Sequence, residues 1–186
     1  MPGSRVVVRF ACGGAIFSFS RAVDVRCTVM AAFEITQRLM ALASAYEVKV
    51  GDESEASLLV QGTFATSTPK LALLSGTAIV ATLRGNLLKT KFIIADAAGA
   101  ELGVVNFPAV SIRKTMTLSF GGRGYHATSG GVSTEIYQCA DNDGVVALEL
   151  RKGVGLRDRF QVEAKPGIPR EIAILTAVAI HSRYYE

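Results

Sequence analysis

Five basic side chains fall in two short stretches of the chain. LRGNLLKTKF, from Leu83 to Phe92, carries Arg84, Lys89 and Lys91 among apolar residues around a Gly-Asn turn, and RKTMTL opens on Arg113 and Lys114. Cations at this spacing suit the capture of an anion better than bond-making chemistry. An arginine's planar fork takes two phosphate oxygens at once, whereas a lysine supplies a point charge. If Ala78 to Arg84 is a strand, Val80, Thr82 and Arg84 share one face while Ile79, Ala81 and Leu83 fill the other. Arg84 then leaves the core, Lys89 and Lys91 follow on the return strand, and Arg113 and Lys114 come from the next hairpin. The same bases also read as the ordinary solvated charges of a sheet exterior, because charge runs alone are weak evidence.

Catalytic constellations are poorly served. His126 and His181 are the only histidines, and nothing near them has the spacing of a zinc site or a nucleophile–base pair. His181 reads as a capping or packing residue. GRGYHA, from Gly122, fits a loose GxGxxA pattern, but SGG follows where a helix should open, so a turn-rich loop is expected. ADNDG, from Ala140, has two carboxylates but lacks the later ligands of a calcium loop, which favours a hairpin turn. No GxSxG, Walker sequence or catalytic carboxylate pair can be assigned. The expectation is a non-enzymatic protein with no implied metal or cofactor.

Something must position the bases. A chain of 186 residues suits one domain, 1–186, with a core large enough to need no staples. It is 49% hydrophobic and 19% charged, with a mean hydropathy of +0.33, which is apolar but within the globular range. The net charge of +4, from 20 bases against 16 acids, helps an anionic partner only if the bases cluster. Cys12, Cys27 and Cys139 are odd in number and lack CxxC spacing, which suits a reducing, intracellular setting. Arg5 and Arg9 before FACGGAIFSFS outline a targeting segment, but a buried strand and a Gly-Gly turn explain the same letters and are preferred.

Short runs rich in Val, Ile, Thr and Phe, punctuated by Asp, Asn and Gly, predict an antiparallel sheet or barrel. Tyr46–Gly62, Lys91–Phe107 and Thr134–Leu150 share one layout, strand then acidic turn then apolar strand, with turn aspartates Asp52, Asp96 and Asp141. Met30 to Ser44 is the one helix expected in the first half, from its Ala, Leu, Met, Gln and Arg content. SGTAIVATL and SFGGRGYHATSGG read as loops bordering strands.

The tail PGIPREIAILTAVAIHS predicts a helix, with Pro169 at its first turn, Glu171 near the positive end of the dipole, and no polar face. Such a helix must be surrounded. Its apolar run, Ile172 to Ile180, is far short of the roughly 20 residues that a membrane span needs. In a chain of strands, threading the helix through a closed sheet surrounds it and also removes the sheet edges. The fold expected is therefore mainly β, a closed antiparallel barrel with a central C-terminal hydrophobic α-helix.

These pieces resemble the tubby C-terminal domain and, less closely, the LURP-one and phospholipid scramblase families that share its fold. LRGNLLKTKFIIAD is similar to that family's Leu-Arg-x-Asn-Leu turn, Thr-Lys-Phe and strand ending in Asp, and RKTMTL to its later Arg-Lys-Met strand. Arg157-Asp158, Phe160, Pro169, Ala177, Ala179, Ile180, Ser182 and Glu186 match its closing strand and helix. The resemblance spans roughly Tyr46 to Glu186. Residues 1–45 match no recognised pattern and read as divergent barrel strands plus a helix. It implies a barrel around a hydrophobic helix that binds the headgroup of phosphatidylinositol bisphosphate, with Arg84 and Arg113 as the carried-over arginines and Lys89, Lys91 and Lys114 beside them. The chain departs from the family at Thr82, where the family has a lysine, and near Lys70 in ATSTPKLALLS, where it has an asparagine.

The function expected is a non-enzymatic phosphoinositide-binding module, tethering or adapting at a membrane and open to a protein cargo. Its place is cytoplasmic and peripheral, at the plasma membrane or another phosphoinositide-bearing membrane, rather than transmembrane. The alternatives are a structural adaptor barrel with a degenerate lipid site and a scramblase-like phospholipid protein. Nucleic acid ranks well below lipid, since the charge surplus is small and no recognition helix or aromatic platform is visible.

Overall fold

The computed structural model describes residues 31–38, 44–51, 53–63, 66–110, 112–130, 135–153 and 158–186, without the side chains of 53–57. The FACGGAIFSFS stretch, Cys12, Cys27 and Asp52 lie outside the described residues. Within them run twelve strands: β1 Ala31–Gln37, β2 Ala45–Val50, β3 Glu53–Gly62, β4 Lys70–Ser75, β5 Ala78–Gly85, β6 Lys91–Asp96, β7 Glu101–Asn106, β8 Thr115–Phe120, β9 Arg123–Gly130, β10 Ile136–Ala140, β11 Val146–Gly153 and β12 Arg159–Ala164. One helix, α1 Arg170–Tyr184, follows.

Each strand pairs antiparallel with its chain neighbours, and β1 pairs with β12, so the sheet closes into a barrel without an edge. Alternation does the sorting: in β12, Phe160, Val162 and Ala164 point inward and are buried, while Arg159, Gln161 and Glu163 point outward. The helix fills the lumen. Every residue from Ile172 to Ser182 is buried, as a helix with no polar face requires. At 15 residues it is about 22 Å long. The closed barrel and its central helix are thus those expected from the tail.

The helix expected over Met30 to Ser44 is replaced by a strand. Phe33 and Ile35 are 4% and 1% exposed and alternate with the partly exposed Glu34 and Thr36, so residues 31–37 obey a period of two. That strand is the stave joining β2 to β12, and pairing on both sides outweighs the modest helix preference of Ala and Gln. Residues 39–43 lie outside the described residues.

Two loop expectations also give way to strands. SGTAIVATL contains only a short turn before β5, and GRGYHATSG is mostly β9, joined to β8 through Gly121 and Gly122. Both glycines are left-handed, φ 56° and 74°, the requirement of a tight two-residue hairpin. Ala81 and Leu83 enter the core as expected, but Ile79 is half exposed because the β4–β5 register slips between Leu73 and Leu74. The recurring acidic turn is real at two places. Asp96 and Asp141 each accept a 2.8 Å bond at Oδ1 from the amide four residues on, and each hairpin has a bulge beside the turn.

The barrel has two mouths. The helix enters at one, among the β6–β7, β8–β9 and β10–β11 turns, and ends at the other, among the β5–β6 and β7–β8 loops. The bases of interest lie at the second mouth.

Candidate functional site

Arg84 ends β5 on its outer face, directly opposite Lys70 of β4 on one side and Ile93 of β6 on the other. Lys91 opens β6 two residues before Ile93, hence diagonal to Arg84 at about 7 Å between Cβ atoms. All three bases are exposed. No position opposite or diagonal to Arg84 carries a carboxylate: those neighbours are Ala72, Lys91, Ile93 and Ala95 besides Lys70. Among the described residues, Lys70, Arg84 and Lys91 form no ion pair. Three cations therefore share one face with their charges uncompensated. Thr82, one step up the same face, keeps its Oγ1 buried without a hydrogen-bond partner.

The turn that separates Arg84 from Lys91 is built by Asn86. Its Oδ1 accepts from the amides of Thr90 at 2.8 Å and Lys91 at 3.2 Å, its Nδ2 donates to Thr90 Oγ1 at 2.9 Å, and its own amide donates to the Lys91 carbonyl. Gly85 precedes it because a side chain has no room there: a Cβ would lie 2.7 Å from Cε1 of Phe92. The Arg-Gly-Asn order thus aims the arginine outward and closes the turn behind it.

Lys89 and Lys114 are placed differently. Lys89 adopts φ 52°, a left-handed backbone uncommon outside glycine. Its Nζ donates to the Ser182 carbonyl at 2.9 Å and lies 3.6 Å from Glu186. Lys114 donates to Glu135 Oε1 at 2.7 Å and lies 4.2 Å from the centre of the Tyr185 ring. Both lysines lock the end of the helix into the mouth. Arg113 is exposed, in the segment that leads into β8.

A polar network that the sequence did not disclose seals this mouth. His181, 1% exposed, places Nδ1 2.9 Å from the Tyr46 hydroxyl and Nε2 2.9 Å from Asp158. Glu186 accepts from Ser44 at 2.7 Å, Tyr46 at 2.8 Å and Ser182 at 3.0 Å. Lys152 lies 3.0 Å from Asp158 and 3.8 Å from the centre of the Tyr185 ring. Burial raises the Glu186 carboxyl's pKa, but His181, with Nδ1 3.7 Å away, and the hydrogen bonds from Ser44, Tyr46 and Ser182 outweigh it and hold the group well below the usual carboxylate range. Asp158 is lowered in the same way, burial being overcome by His181 and Lys152. Burial and the Glu186 charge push the Tyr46 hydroxyl far up, so it stays a donor.

His181 and Asp158 have the spacing of an orienting pair, yet both ring nitrogens are occupied inside the mouth, so the pair serves to hold the helix end. Cys139 is equally withdrawn, fully buried with its thiol pushed up to about 12 by desolvation. Among the described residues, no group of His, Cys, Asp and Glu is arranged to hold a metal ion. An open depression of about 500 Å³ lies at the opposite mouth, lined by Glu101, Gly103, Ser119, Phe120 and Arg123, away from the three-base face.

Tyr46, Glu135, Lys152 and Tyr185 escaped sequence reasoning because they converge from strands and tail far apart in the chain; Tyr46 and His181 are 135 positions apart. Arg183 escaped likewise. Its guanidinium donates to the Leu88 carbonyl at 2.9 Å from one nitrogen, and to Pro108 at 3.1 Å and Ala109 at 3.2 Å from another, tying the β5–β6 and β7–β8 loops together. What converges at this mouth is an outward cationic face on a sealed, edge-free barrel. No protein-family model matches the chain, and no curated protein matches it.

Proposed function

We propose that the protein is a peripheral membrane-docking module that recognises anionic phospholipid, with phosphoinositide headgroups as the preferred ligand. The observation that carries this reading is the Lys70–Arg84–Lys91 face, where, among the described residues, three exposed cations have no carboxylate beside them. Like charges held together without counter-ions repel one another, and a polyphosphorylated headgroup removes that cost. Arginine supplies a bidentate fork and the two lysines supply point charges, each worth about 1 kcal/mol near an anionic surface. Arg113 is exposed at the same mouth. The tubby-like pattern of the Leu-Arg-Gly-Asn turn supports the same reading.

Docking at the surface rather than insertion of a span is favoured by the distribution of polarity. Among the described residues, no helix is long and apolar enough to cross a membrane. The lumen is filled by an apolar helix, whereas Glu34, Glu47, Lys49, Gln138 and Arg151 face outward, the reverse of a spanning barrel's polar lumen and apolar belt.

A scaffold that binds a protein cargo instead of lipid is the second reading. It is favoured by the engagement of Lys89 and Lys114 in the sealed mouth, which leaves fewer bases for a headgroup. Co-sedimentation with vesicles of matched surface charge, with and without phosphatidylinositol bisphosphate, separates the two. Selective pelleting lost in Arg84→Ala/Lys91→Ala supports the headgroup site. Equal pelleting of both proteins on every vesicle would replace it with the scaffold.

A further inference from the structure

Large apolar side chains reach solvent in few places on the described surface, and four of them share one place. Leu87 and Leu88 in the β5–β6 loop are 69% and 68% exposed, and Val110 and Ile112 in the β7–β8 loop are 93% and 106% exposed. The loops are neighbours: Phe107 donates its amide to the Thr90 carbonyl at their base, and Arg183 bridges Leu88 with Pro108 and Ala109. Asn86 pins one loop from within. The four side chains are therefore carried on a braced tip at the end of the helix axis.

Bases follow the apolar residues in both loops. Lys89 comes directly after Leu88, Arg113 and Lys114 directly after Ile112, and Lys91 and Arg84 stand on the strands behind the first loop. An apolar point backed by cations matches the layering of an anionic bilayer, acyl chains below phosphates. It fits a protein partner poorly, since four side chains on two loop tips are far fewer than the roughly 20–30 residues a stable interface uses on each side.

We propose that the two loops form a wedge that enters an anionic membrane, with Leu87, Leu88, Val110 and Ile112 placed at the headgroup–acyl boundary and Arg84 and Lys91, which form no ion pair among the described residues, behind them at the phosphate level. This rests on the membrane-docking reading and adds to it an orientation: the mouth where the helix ends faces the bilayer, and the Asp96 and Asp141 turns face away. Penetration of about 5–10 Å is the depth at which interfacial apolar groups settle. The bracing matters here, because Leu88, Pro108 and Ala109, already held by Arg183, lose little further freedom when the tip inserts.

The chain contains no tryptophan, so a single introduced one reports without background. Leu88→Trp places it on the wedge, and Val145→Trp places it at the opposite mouth, where Val145 is 51% exposed. Both are mixed with phosphatidylcholine vesicles containing phosphatidylserine and phosphatidylinositol bisphosphate, with and without bromine on the acyl chains, and pelleted in parallel. The expected result is blue-shifted, bromine-quenched emission for Leu88→Trp and unchanged emission for Val145→Trp. The quadruple serine variant at positions 87, 88, 110 and 112 is expected to bind the same vesicles at least about tenfold more weakly. Pelleting with unquenched Leu88→Trp would overturn the wedge while leaving surface docking intact. Absence of pelleting for every protein would overturn both. A blue shift without vesicles, accompanied by a larger particle size, would reassign the tip to self-association.

Discussion

The hydroxyl of Tyr46 lies 2.9 Å from Nδ1 of His181 and 2.8 Å from Oε1 of Glu186, so one side chain of β2 holds both the last helical turn and the carboxylate that follows it. Nε2 of His181 faces only a carboxylate and therefore carries a hydrogen. The hydroxyl hydrogen of Tyr46 goes to Glu186, and the same oxygen is the partner of Nδ1. Removing the hydroxyl deprives both.

Tyr46→Phe keeps the ring in the core and deletes this junction. The buried Nδ1 is left without its hydroxyl partner, while Glu186 keeps Ser44 and Ser182, and one unsatisfied group of this kind costs about 1–3 kcal/mol. For a domain of this size, that corresponds to roughly 2–4 °C of melting temperature per kcal/mol. Thermal unfolding followed by circular dichroism checks it. An unchanged midpoint would show that the mouth is sealed by Lys89 and Lys152 without Tyr46.

Acid should open the same mouth. Asp158 and Glu186 both ionise below their ordinary values in the folded chain, where burial is outweighed by His181 and Lys152 for the first and by His181, Ser44, Tyr46 and Ser182 for the second. Their contribution to stability is complete above the unfolded values near 3.8 and 4.5, and it fades as pH falls from there toward the folded values. Denaturation midpoints measured from pH 7 down to about pH 3 should therefore drop below about pH 4.5. In Glu186→Gln the midpoint starts lower and the acid slope is shallower. An identical slope in the variant would remove Glu186 from the account.

The turn behind Arg84 gives a third expectation. A methyl at position 85 would lie 2.7 Å and 3.0 Å from two Phe92 ring carbons and 3.1 Å from Pro69 Cγ. Phe92 is fully buried and cannot swing away, so Gly85→Ala must shift the strand end or the ring. Overpacking of this kind costs about 1–3 kcal/mol. Vesicle binding should weaken together with stability, because Arg84 and the turn move as one. Destabilisation with full binding would uncouple the turn from the cationic face.

The barrel was legible because its signals are local or compositional. A helix apolar on every face at Ile172–Ile180 demands enclosure, and alternation in segments such as Lys91–Asp96 reveals which side chains enclose it. The Met30–Ser44 helix expectation failed where a non-local requirement, the closing pair of β1 with β12, overrode weak propensity. Arg84 could be read as outward from the parity of β5 alone. The fates of Lys89 and Lys114 could not, since both are decided by Glu186 and Glu135, acids 97 and 21 positions further along the chain. The mouth network was illegible for the same reason. Each of its members is an ordinary polar residue until the ring closes.

Thr82 supplies the sharpest test of the cationic face. It sits one outward step from Arg84, opposite Ala72 and Ala95, with a hydroxyl that has no partner to lose. A lysine there can lay its methylenes over the small neighbours and carry its ammonium out toward Arg84 and Lys91. Adding a fourth cation should cost the free protein some repulsion and strengthen anionic vesicle binding by about 1 kcal/mol, roughly fivefold. The gain should shrink as salt rises, since the Debye length falls from about 10 Å at 0.1 M to about 3 Å at 1 M. Vesicle titrations of Thr82→Lys at two ionic strengths read both effects. A tighter complex at low salt that reverts at high salt places the bound phosphates on this face, whereas unchanged affinity at both would move them elsewhere on the barrel.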